Sequence, residues 1–380
     1  MAGYHGWFNA PGDHSDMGWN HYAKEGKFEP GISKFDFWPE TGEYPKVYKT
    51  PFTMADGKHA YLFSNYDSST VSTHFRWMKE YGVDGIFLQR SVADLKDPVK
   101  RANDNQVFKY VIKYGKQFRR AVAVMYDFTG LNEGSGDLEI IEQDWKLLVD
   151  SFHLTNGGKD QTYLYHHAKP LVGIWGVGFP ERHNDLVVTE KLIRFLKADP
   201  SYGGCSVLLG VPAYWRDFGF DTEKDSTLHR LIRQADIIRP WLVGRFTEKT
   251  YDTFKVRIKG DLAWCKQNRI DYVPIIFPGF SWHNMHPGKA GSQISRDRGK
   301  FYRRQINGTI LAKAEMLYVA MFDEIDEGTA IFKLSKNPPE GFERLEPGIP
   351  SDYYLTLTGI ASKMLKNRVR FTRAIPSTKK

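Results

Sequence analysis

The segment DSSTVSTHFRWMKEYGVDGIFLQR (residues 67–90) contains the repeating unit from which the fold is predicted. Asp, Ser and Thr open it, and Val71, Phe75 and Met78 then recur on one helical face. Such a start and spacing predict an amphipathic helix. The run GIFLQR (85–90) that follows is almost continuously apolar, as buried parallel strands are. The segment is therefore predicted to form a helix followed by a parallel strand.

The same alternation runs through the whole chain. The apolar runs of this kind are 3–8, 85–90, 121–127, 171–177, 206–215, 239–246, 272–282 and 316–324. The stretches with helical spacing are 67–84, 139–152, 184–199, 225–235, 250–268, 292–314 and 351–365. This pattern predicts an α/β fold, a single (β/α)8 TIM barrel spanning residues 1–380. A doubly wound sheet is the competing architecture, and no G-x-G-x-x-G motif follows a strand to support it.

One connection is out of proportion to the others. Residues 9–66 lie between the first strand and its helix, and a long loop in a compact domain is usually functional or disordered. The aromatic and His residues of this loop include Trp19, His21, Trp38, Tyr44, Tyr48, Tyr61 and Tyr66. So many aromatic residues argue against disorder, and we predict an ordered loop that helps to wall the active site.

Charge and hydropathy exclude several classes of protein. The 380 residues carry a formal net charge of +8, and a basic balance permits anionic partners. Lys and Arg are nevertheless spread along the chain, with short clusters at 113–120 and 366–373. We interpret these clusters as solvated helix faces and predict no nucleic-acid partner. No apolar run reaches about 18 residues, so we predict no membrane span.

Motifs for nucleophilic or metal chemistry are poor. There is no G-x-S-x-G and no H-E-x-x-H, and the two Cys, Cys205 and Cys265, exclude a disulfide framework. We expect two free buried thiols, with a single bridge as the alternative. His166 and His167 form an isolated pair before the fourth strand. Asp/His clusters in barrels can hold divalent ions, but we predict no metal and no cofactor.

The predicted strand ends, where barrel enzymes place their chemistry, are rich in aromatic and hydrogen-bonding side chains. Trp7, Tyr126, Trp215, Arg245, Trp282 and His283 lie there. Flat apolar faces beside planar polar groups suit a pyranose, which has an apolar face and a rim of hydroxyls. Each residue alone has a structural alternative, since Trp7 fits a core and Arg245 fits a surface ion pair. Their joint placement favours a carbohydrate site.

The last predicted strand ends in FDEIDEGTAIF (322–332), which contains four carboxylates. Glycoside cleavage uses two carboxyl groups, one protonated and one charged, and neighbouring acids raise each other's pKa. Residues three apart on a strand point to opposite faces, so a pair at this spacing meets only if the chain turns, as Gly328 allows. Spacing does not choose between Asp323 with Asp326 and Glu324 with Glu327.

These blocks resemble glycoside hydrolase family 99, the endo-α-mannosidase and endo-α-mannanase family. FDEIDEGTAIF is similar to the family's acid block at the last strand, and YHGWF (4–8) with WNHY (19–22) to its opening strand and site loop. FPGFSWHNMHPG (277–288) and SRDRGKFY (295–302) resemble its Pro-Gly-aromatic loop and the helix start that follows. The predicted substrate contacts are Trp7, Trp19, His21, Tyr126, Trp215, Arg245, Trp282, His283 and Arg296.

The resemblance implies a barrel that cleaves internal α-1,2-mannosidic bonds of α-mannan or mannose-rich glycans with retained configuration. It assigns Glu324 as the base that deprotonates the sugar's 2-hydroxyl, giving a 1,2-anhydro sugar. It assigns Glu327 as the general acid and then the base that activates water. Asp323 and Asp326 are then expected to hold the Glu side chains or a neighbouring Arg. The alternative is a family-99-like domain that acts in polysaccharide biosynthesis or binds glycans without hydrolysis.

Departures from the vertebrate pattern favour a bacterial-type member. Asp323 stands where part of the family has Asn, and Ile325 and Asp326 stand where vertebrate members have Trp and His. No signal peptide is visible, and the chain reads as strand almost from its first residue. We expect a monomer that is secreted, periplasmic or on the cell surface, with its signal removed. The basic pI of about 9.1 also fits an anionic, for instance sulfated, mannan.

Overall fold

Eight parallel strands close into a barrel in the computed structural model, which describes residues 1–132, 136–156, 162–181, 185–289, 291 and 293–367. In chain order they are Ala2–Tyr4, Gly85–Ser91, Ala121–Asp127, Lys169–Trp175, Ser206–Val211, Ile237–Pro240, the split strand Asp271–Tyr272 with Ile275–Ile276, and Tyr318–Val319. Each pairs in parallel with its neighbours, and the first pairs with both the second and the eighth.

The split seventh strand closes the ring. Asp271 pairs with Ile237 of the sixth strand, whereas Ile275 pairs with Tyr318 of the eighth. The two halves belong to one stretch of chain, so the sheet has no free edge between them. The predicted (β/α)8 barrel is therefore confirmed.

Helices alternate with the strands and cover the barrel. They are Ser68–Tyr81, Val92–Lys96, Pro98–Phe118, Asp137–Phe152, Asp185–Ala198, Thr227–Ile232, Tyr251–Gln267, the 3-10 turn Asp297–Gly299, Lys300–Leu311 and Tyr353–Asn367. Ser68–Tyr81 buries Val71, Phe75 and Met78, as the sequence predicts. Of the basic clusters, residues 113–120 lie on and just after Pro98–Phe118, with Lys113 and Lys116 exposed. Residues 368–373 of the second cluster lie outside the described residues.

Several strands are shorter than the apolar runs that predict them. The fifth strand ends at Val211 rather than at 215, and the eighth ends at Val319 rather than at 324. Beyond Val319 the backbone turns back on itself, because Ile331 N–H donates to the Met321 and Phe322 carbonyls. The apolar residues that follow each strand therefore pack in loops at the C-terminal end of the barrel.

The long first loop is ordered, as predicted, and many of its aromatic residues are buried in the hydrophobic core that it shares with the barrel. It includes the antiparallel hairpin of Tyr48–Thr53 and His59–Leu62. Trp38, Phe28 and Phe35 are buried, and they pack with ring centroids 5.6 to 6.5 Å apart. Because these rings contact each other, they stabilise the loop rather than line a cleft.

Two further expectations from composition can be compared with the structure. Cys205 and Cys265 are both free and buried, as expected, so no disulfide joins them. Among the described residues, none of the helices combines the length and the apolar character needed to cross a lipid bilayer.

Candidate active site

A tight turn after the eighth strand carries the four acids. Thr329 N–H and Ala330 N–H both donate to the Glu324 carbonyl, at 3.0 and 2.7 Å. Gly328 has a left-handed φ of 63°, and a Cβ there would lie 2.9 Å from Ser281. The site thus requires a glycine, because only glycine adopts this conformation freely and leaves this space. The turn that the Glu324–Glu327 spacing demands is present.

Arg296 supports this turn from below. Its Nη2 donates to the carbonyls of Gly328 and Ala330, both at 2.9 Å. The guanidinium lies 4.5 Å from the ring centroids of both Phe37 and Tyr354, and the residue is 4% exposed. The predicted substrate contact Arg296 therefore lies beneath the acid turn, where it fixes the backbone that carries the carboxyl groups.

Glu324 is buried and contacts the residue that follows the first barrel strand. Its Oε2 lies 2.7 Å from Nε2 of His5, and its Oε1 accepts a hydrogen bond from Glu327 N–H at 3.3 Å. Both oxygens of the carboxyl group are therefore fixed by protein contacts. His5 directly follows the first strand and Glu327 lies in the acid turn, so two segments far apart in the sequence meet at this carboxyl group.

The two Asp residues have partners other than those expected. Asp323 accepts hydrogen bonds from the N–H groups of His5 and Gly6, at 3.0 and 2.9 Å. Asp326 lies 2.8 Å from Nδ1 of His21 and 2.9 Å from Nζ of Lys34. The expectation that these two Asp residues hold the Glu side chains or an Arg is therefore wrong. Asp323 instead anchors the backbone at the end of the first strand, and Asp326 anchors the first loop.

Trp7 links these two groups of contacts. Its ring stacks on His5 with centroids 3.6 Å apart and on His21 with centroids 3.7 Å apart, at interplanar angles of 14° and 7°. The indole is therefore sandwiched between the imidazole beside Glu324 and the imidazole beside Asp326. This three-ring stack fixes the distance between the first strand and the first loop.

Burial and mutual repulsion shift the acid pKa values apart. Burial, together with the charges of Glu324 and Asp326, raises the pKa of Glu327 to about 8. Burial and the charge of Asp326 also raise the pKa of Glu324 well above its usual range. Burial acts in the same direction on Asp326, but His21 and Lys34 outweigh it and lower the pKa of that carboxyl group. At neutral pH the turn therefore holds a protonated Glu327 beside a charged Asp326.

Glu327 opens into a cleft of about 320 Å³ at this end of the barrel. Its lining includes three Trp residues, Trp175, Trp241 and Trp282, together with Phe280, Arg245 and Lys289. Trp175 and Trp241 pack edge to face with centroids 5.3 Å apart. Arg245 Nε lies 2.5 Å from the carboxylate of Asp221, which orients its guanidinium at the wall. The cleft therefore combines flat apolar faces, one carboxyl group and cationic side chains.

Of the predicted substrate contacts, the structure brings some to this end and places others in the wall. Arg245 and Trp282 line the cleft, and Trp7 and His21 belong to the three-ring stack. Tyr126 is fully buried, and its hydroxyl donates to Asp144, at 3.0 Å. Trp215 is also fully buried and packs on Trp264. These two side chains stabilise the barrel wall.

Trp19 and His283 also make contacts away from the cleft lining. Trp19 packs against Phe28, with ring centroids 5.0 Å apart, within the core of the first loop. The N–H of His283 donates to Asp36 at 2.8 Å, and its side chain is exposed. Both belong to loops at this end, and their contact with substrate stays a prediction.

His5, Lys34 and Trp241 are members of the site that sequence reasoning missed. His5 lies in the block YHGWF, two residues before Trp7, so on an extended strand the two side chains share a face. Only the structure shows that His5 stacks on Trp7 and that Trp7 in turn stacks on His21. Lys34 sits in a loop without periodicity, so nothing in the local sequence marks it. Trp241 follows the sixth strand directly, a position where barrel enzymes carry site residues.

Similarity to known proteins lies in overall sequence and in fold. No family model matches the chain. In sequence it is similar to the glycoprotein endo-α-1,2-mannosidases of Mus musculus and Rattus norvegicus, at 21% identity over 345 residues, which cover 87% of this chain and 67% of each relative.

Solved structures show the same similarity at the level of the fold. The GH99 endo-α-mannosidase from Bacteroides thetaiotaomicron matches with a TM-score of 0.70 at 16% identity, over 98% of both chains. A glycoside hydrolase-like protein matches with a TM-score of 0.55 at 13% identity, over 89% of this chain and 95% of the other. The resemblance that the motifs indicate is therefore confirmed: this chain is similar in sequence to endo-α-1,2-mannosidases and in fold to an endo-α-mannosidase of glycoside hydrolase family 99.

Proposed function

We propose that this protein is a glycoside hydrolase, a retaining endo-α-1,2-mannosidase or mannanase that hydrolyses internal bonds of mannans or mannose-rich glycans. The observation that carries the proposal is the acid turn, where Glu324 and Glu327 have raised pKa values beside an aromatic cleft. Glycoside hydrolysis needs a carboxyl group that is protonated near neutral pH and a second one to act with it. The turn supplies both.

Glu327 suits the role of general acid. It is half-buried, it lines the cleft, and its pKa of about 8 keeps it protonated at neutral pH. It therefore has a proton to give to the leaving glycosidic oxygen as that bond breaks. As the carboxylate left behind, it then takes a proton from the water that opens the intermediate.

Glu324 is proposed as the base that takes the proton from the sugar's 2-hydroxyl. In mannose this hydroxyl is axial and trans to an α leaving group, so its oxygen is placed to attack the anomeric carbon as the glycosidic bond breaks. The product of this step is a 1,2-anhydro sugar, which water opens at the anomeric carbon with net retention while Glu324 returns the proton to the 2-oxygen. No nucleophile from the protein is required. This agrees with the raised pKa values of Glu324 and Glu327, because a protonated carboxyl group is a poor nucleophile.

His5 explains how Glu324 becomes a base despite its raised pKa. Burial lowers the pKa of His5, and its Nε2 lies 2.7 Å from Glu324 Oε2. A neutral imidazole at that distance shares the proton of the carboxyl group. We propose that Nε2 of His5 takes the carboxyl proton in the same step in which Glu324 accepts the proton of the sugar's 2-hydroxyl, and that both protons return when the intermediate opens. Trp7 and Asp323 keep His5 in position through stacking and the backbone.

The Trp-rich wall supports a pyranose ligand. Trp175, Trp241 and Trp282 line the same cleft as Glu327. If the substrate is a mannan polymer, the enzyme meets it outside the cytoplasm, and we propose a secreted, periplasmic or surface location on that basis. The chain needs no cofactor for the steps above.

The alternative is glycan transfer or binding without hydrolysis in polysaccharide biosynthesis. Incubation with yeast α-mannan separates the two. An endo-acting hydrolase releases oligosaccharides with new reducing ends that retain the α configuration when first formed, as nuclear magnetic resonance detects. A binding domain retains the polymer and produces no reducing ends, and that result would overturn the proposal.

Two matched variants test the roles within the turn. We expect Glu324→Gln to lose turnover of every substrate by about 10³-fold or more, because the 2-hydroxyl keeps its proton. We expect Glu327→Gln to hydrolyse natural mannan more slowly by a similar factor. It should still hydrolyse an α-mannosyl-1,3-mannosyl fluoride, because fluoride leaves without a proton. If both variants turn over mannan at the rate of the unsubstituted protein, the roles are wrong.

A further inference from the structure

A second group of potential ligands lies at the opposite end of the barrel from the acid turn. His166 and His167 precede the fourth strand, and Asp271 begins the seventh. The N-terminal ends of the strands meet at this face, whereas Glu324 and Glu327 follow the C-terminal end of the eighth strand. Nothing in the proposed hydrolysis uses these three side chains.

The three side chains converge on one point. One ligand atom from each lies within 4.8 Å of the other two. Asp271 Oδ2 is 2.8 Å from Nε2 of His166 and 3.4 Å from Nε2 of His167. Zinc bound tetrahedrally at 2.0 to 2.1 Å separates its ligand atoms by about 3.4 Å. The contact between His167 and Asp271 already has this length, and the contact between His166 and Asp271 would open by about 0.6 Å, so small side-chain rotations turn this cluster into three corners of a tetrahedron.

Ser206 orients the more buried imidazole. Its Oγ lies 2.7 Å from Nδ1 of His166, so the other nitrogen, Nε2, is directed at Asp271. Metal-binding histidines characteristically have their second ring nitrogen held by a hydrogen bond, which fixes the ring and the tautomer. His166 is thus arranged as a zinc-ligating histidine is.

The turn that carries His167 has an unusual backbone. His166 pairs with Lys169, which leaves His167 and Ala168 as a two-residue hairpin turn with φ of 48° and 63°. Turns of this type normally use Asn or Gly at these positions. The conformation directs His167 toward Asp271, although 79% of its side chain is exposed to solvent. The turn itself would be served better by Asn or Gly, so the histidine at this position points to a role for its imidazole side chain.

We propose that His166, His167 and Asp271 form a zinc site at the N-terminal face of the barrel, with water as the fourth ligand. Two imidazoles and a carboxylate suit Zn²⁺ among the common divalent ions. The site joins the hairpin before the fourth strand to the seventh strand, 105 positions along the chain. Its role is to stabilise the barrel. It departs from the expectation of no metal, because the sequence shows His166 and His167 only as an isolated pair.

The test is zinc binding by the full chain without an oligohistidine tag, after treatment with a chelator. Isothermal titration with zinc sulfate is expected to show one site per chain, and zinc is expected to raise the melting temperature. We expect His167→Gly and Asp271→Ala to weaken binding by at least about tenfold and to remove the thermal shift. Glycine tolerates the left-handed conformation, so His167→Gly keeps the fold.

His153→Gly is the matched control. His153 is also exposed and also adopts a left-handed φ, 53°, at the end of Asp137–Phe152, but among the described residues it joins no ligand cluster. It should bind zinc as the unsubstituted protein does. Equal binding by His167→Gly and His153→Gly overturns the site, as does the absence of binding up to about 100 µM zinc. Mannan hydrolysis by chelator-treated protein is expected to be unchanged, so the outcome is independent of the proposed function.

Discussion

The two ends of the barrel each contain a cavity, and the larger cavity has the simpler chemistry. The cavity at the N-terminal end measures about 490 Å³ and is lined mainly by apolar residues such as Phe87, Leu171 and Leu208. The cleft at the C-terminal end measures about 320 Å³ and has Glu327 and three Trp residues in its lining. The larger volume of the two does not coincide with the buried carboxyl groups whose pKa values are shifted, and such groups are the better indicator of a functional site.

The difference follows from how each end is built. At the N-terminal end the strands begin and the closing helix Tyr353–Asn367 packs across, so large side chains meet with gaps between them. At the C-terminal end the loops supply charged groups that hold one another, as Asp326 holds His21 and Lys34. One end therefore serves stability and the other reactivity, and substitutions at the two ends should separate these properties.

The largest expected effect on stability is at the N-terminal end. Leu208 is fully buried on the fifth strand and lines the larger cavity. We expect Leu208→Ala to lower the free energy of unfolding by about 2 to 5 kcal/mol, because it enlarges a void among packed side chains. The kcat/KM of the protein that remains folded should not change. Chemical denaturation and initial rates on mannan, both well below the melting temperature, measure the two quantities.

Trp282→Ala is the counterpart at the other end. Trp282 is half-buried and lines the cleft. The substitution should therefore change the free energy of unfolding by no more than about 1 kcal/mol and weaken substrate binding about tenfold. The separation of the two ends fails if Leu208→Ala impairs catalysis beyond its loss of folded protein. It also fails if Trp282→Ala leaves the KM unchanged.

A smaller effect, graded with pH, is expected from Glu327. Its pKa is raised from 4.5 to about 8 in the folded protein by burial and by the charges of Glu324 and Asp326. We therefore expect kcat/KM to fall about tenfold per pH unit above pH 8, as the general acid loses its proton. The measurement is a pH profile on mannan, compared with one on a glycosyl fluoride that needs no acid.

The same shift predicts a pH dependence of stability. Between pH 4.5 and about 8 the folded protein holds the Glu327 proton, whereas the unfolded chain releases it near its usual pKa. The folded state binds more protons in this window, so the free energy of unfolding decreases as pH rises through it. Glu327→Gln should make this decrease smaller and leave the part that the raised pKa of Glu324 contributes, whereas Glu340→Gln, on an exposed residue, should leave it unchanged. An identical pH dependence in both variants would contradict the shifted pKa.

Local sequence was enough to predict the barrel and the position of the acids. Apolar runs and amphipathic helices are short-range patterns, and Gly328 marks the turn within the same eleven residues as the acids. The resemblance then selected Glu324 and Glu327, and the placement of Glu327 in the cleft is consistent with that choice. Such features can be predicted locally because the spacing of apolar residues within one segment determines whether it forms a helix or a strand.

Contacts between distant segments were beyond local sequence. His5 and Glu324 are brought together only by pairing of the first and eighth strands. The burial of Tyr126 and Trp215 reflects the same limit, since a strand-end aromatic turns outward to the wall or inward to the cleft according to neighbours far along the chain. Residue type at a strand end therefore predicts the region of the site and not each contact.

The smallest expected effect concerns the rim of the cleft and the choice between neutral and anionic mannans. Lys289 is exposed, lines the cleft, and places its Nζ 4.8 Å from the ring centroid of Trp282. An exposed charge contributes about 0.2 to 1 kcal/mol to a charged contact. We therefore expect Lys289→Gln to lower kcat/KM on a sulfated mannan by about two- to fivefold at low salt. Hydrolysis of neutral mannan should not change.

Salt and a second lysine separate this effect from general electrostatic attraction. Raising the ionic strength screens exposed charges, so the difference between Lys289→Gln and the unsubstituted protein should disappear in high salt. Lys191, exposed on the helix Asp185–Ala198 and outside the cleft lining, provides the control Lys191→Gln, which should hydrolyse both mannans normally. If the unsubstituted protein hydrolyses neutral and sulfated mannans equally at every salt concentration, the basic charge of the chain has no part in substrate choice, and the rim lysine serves only to cover Trp282.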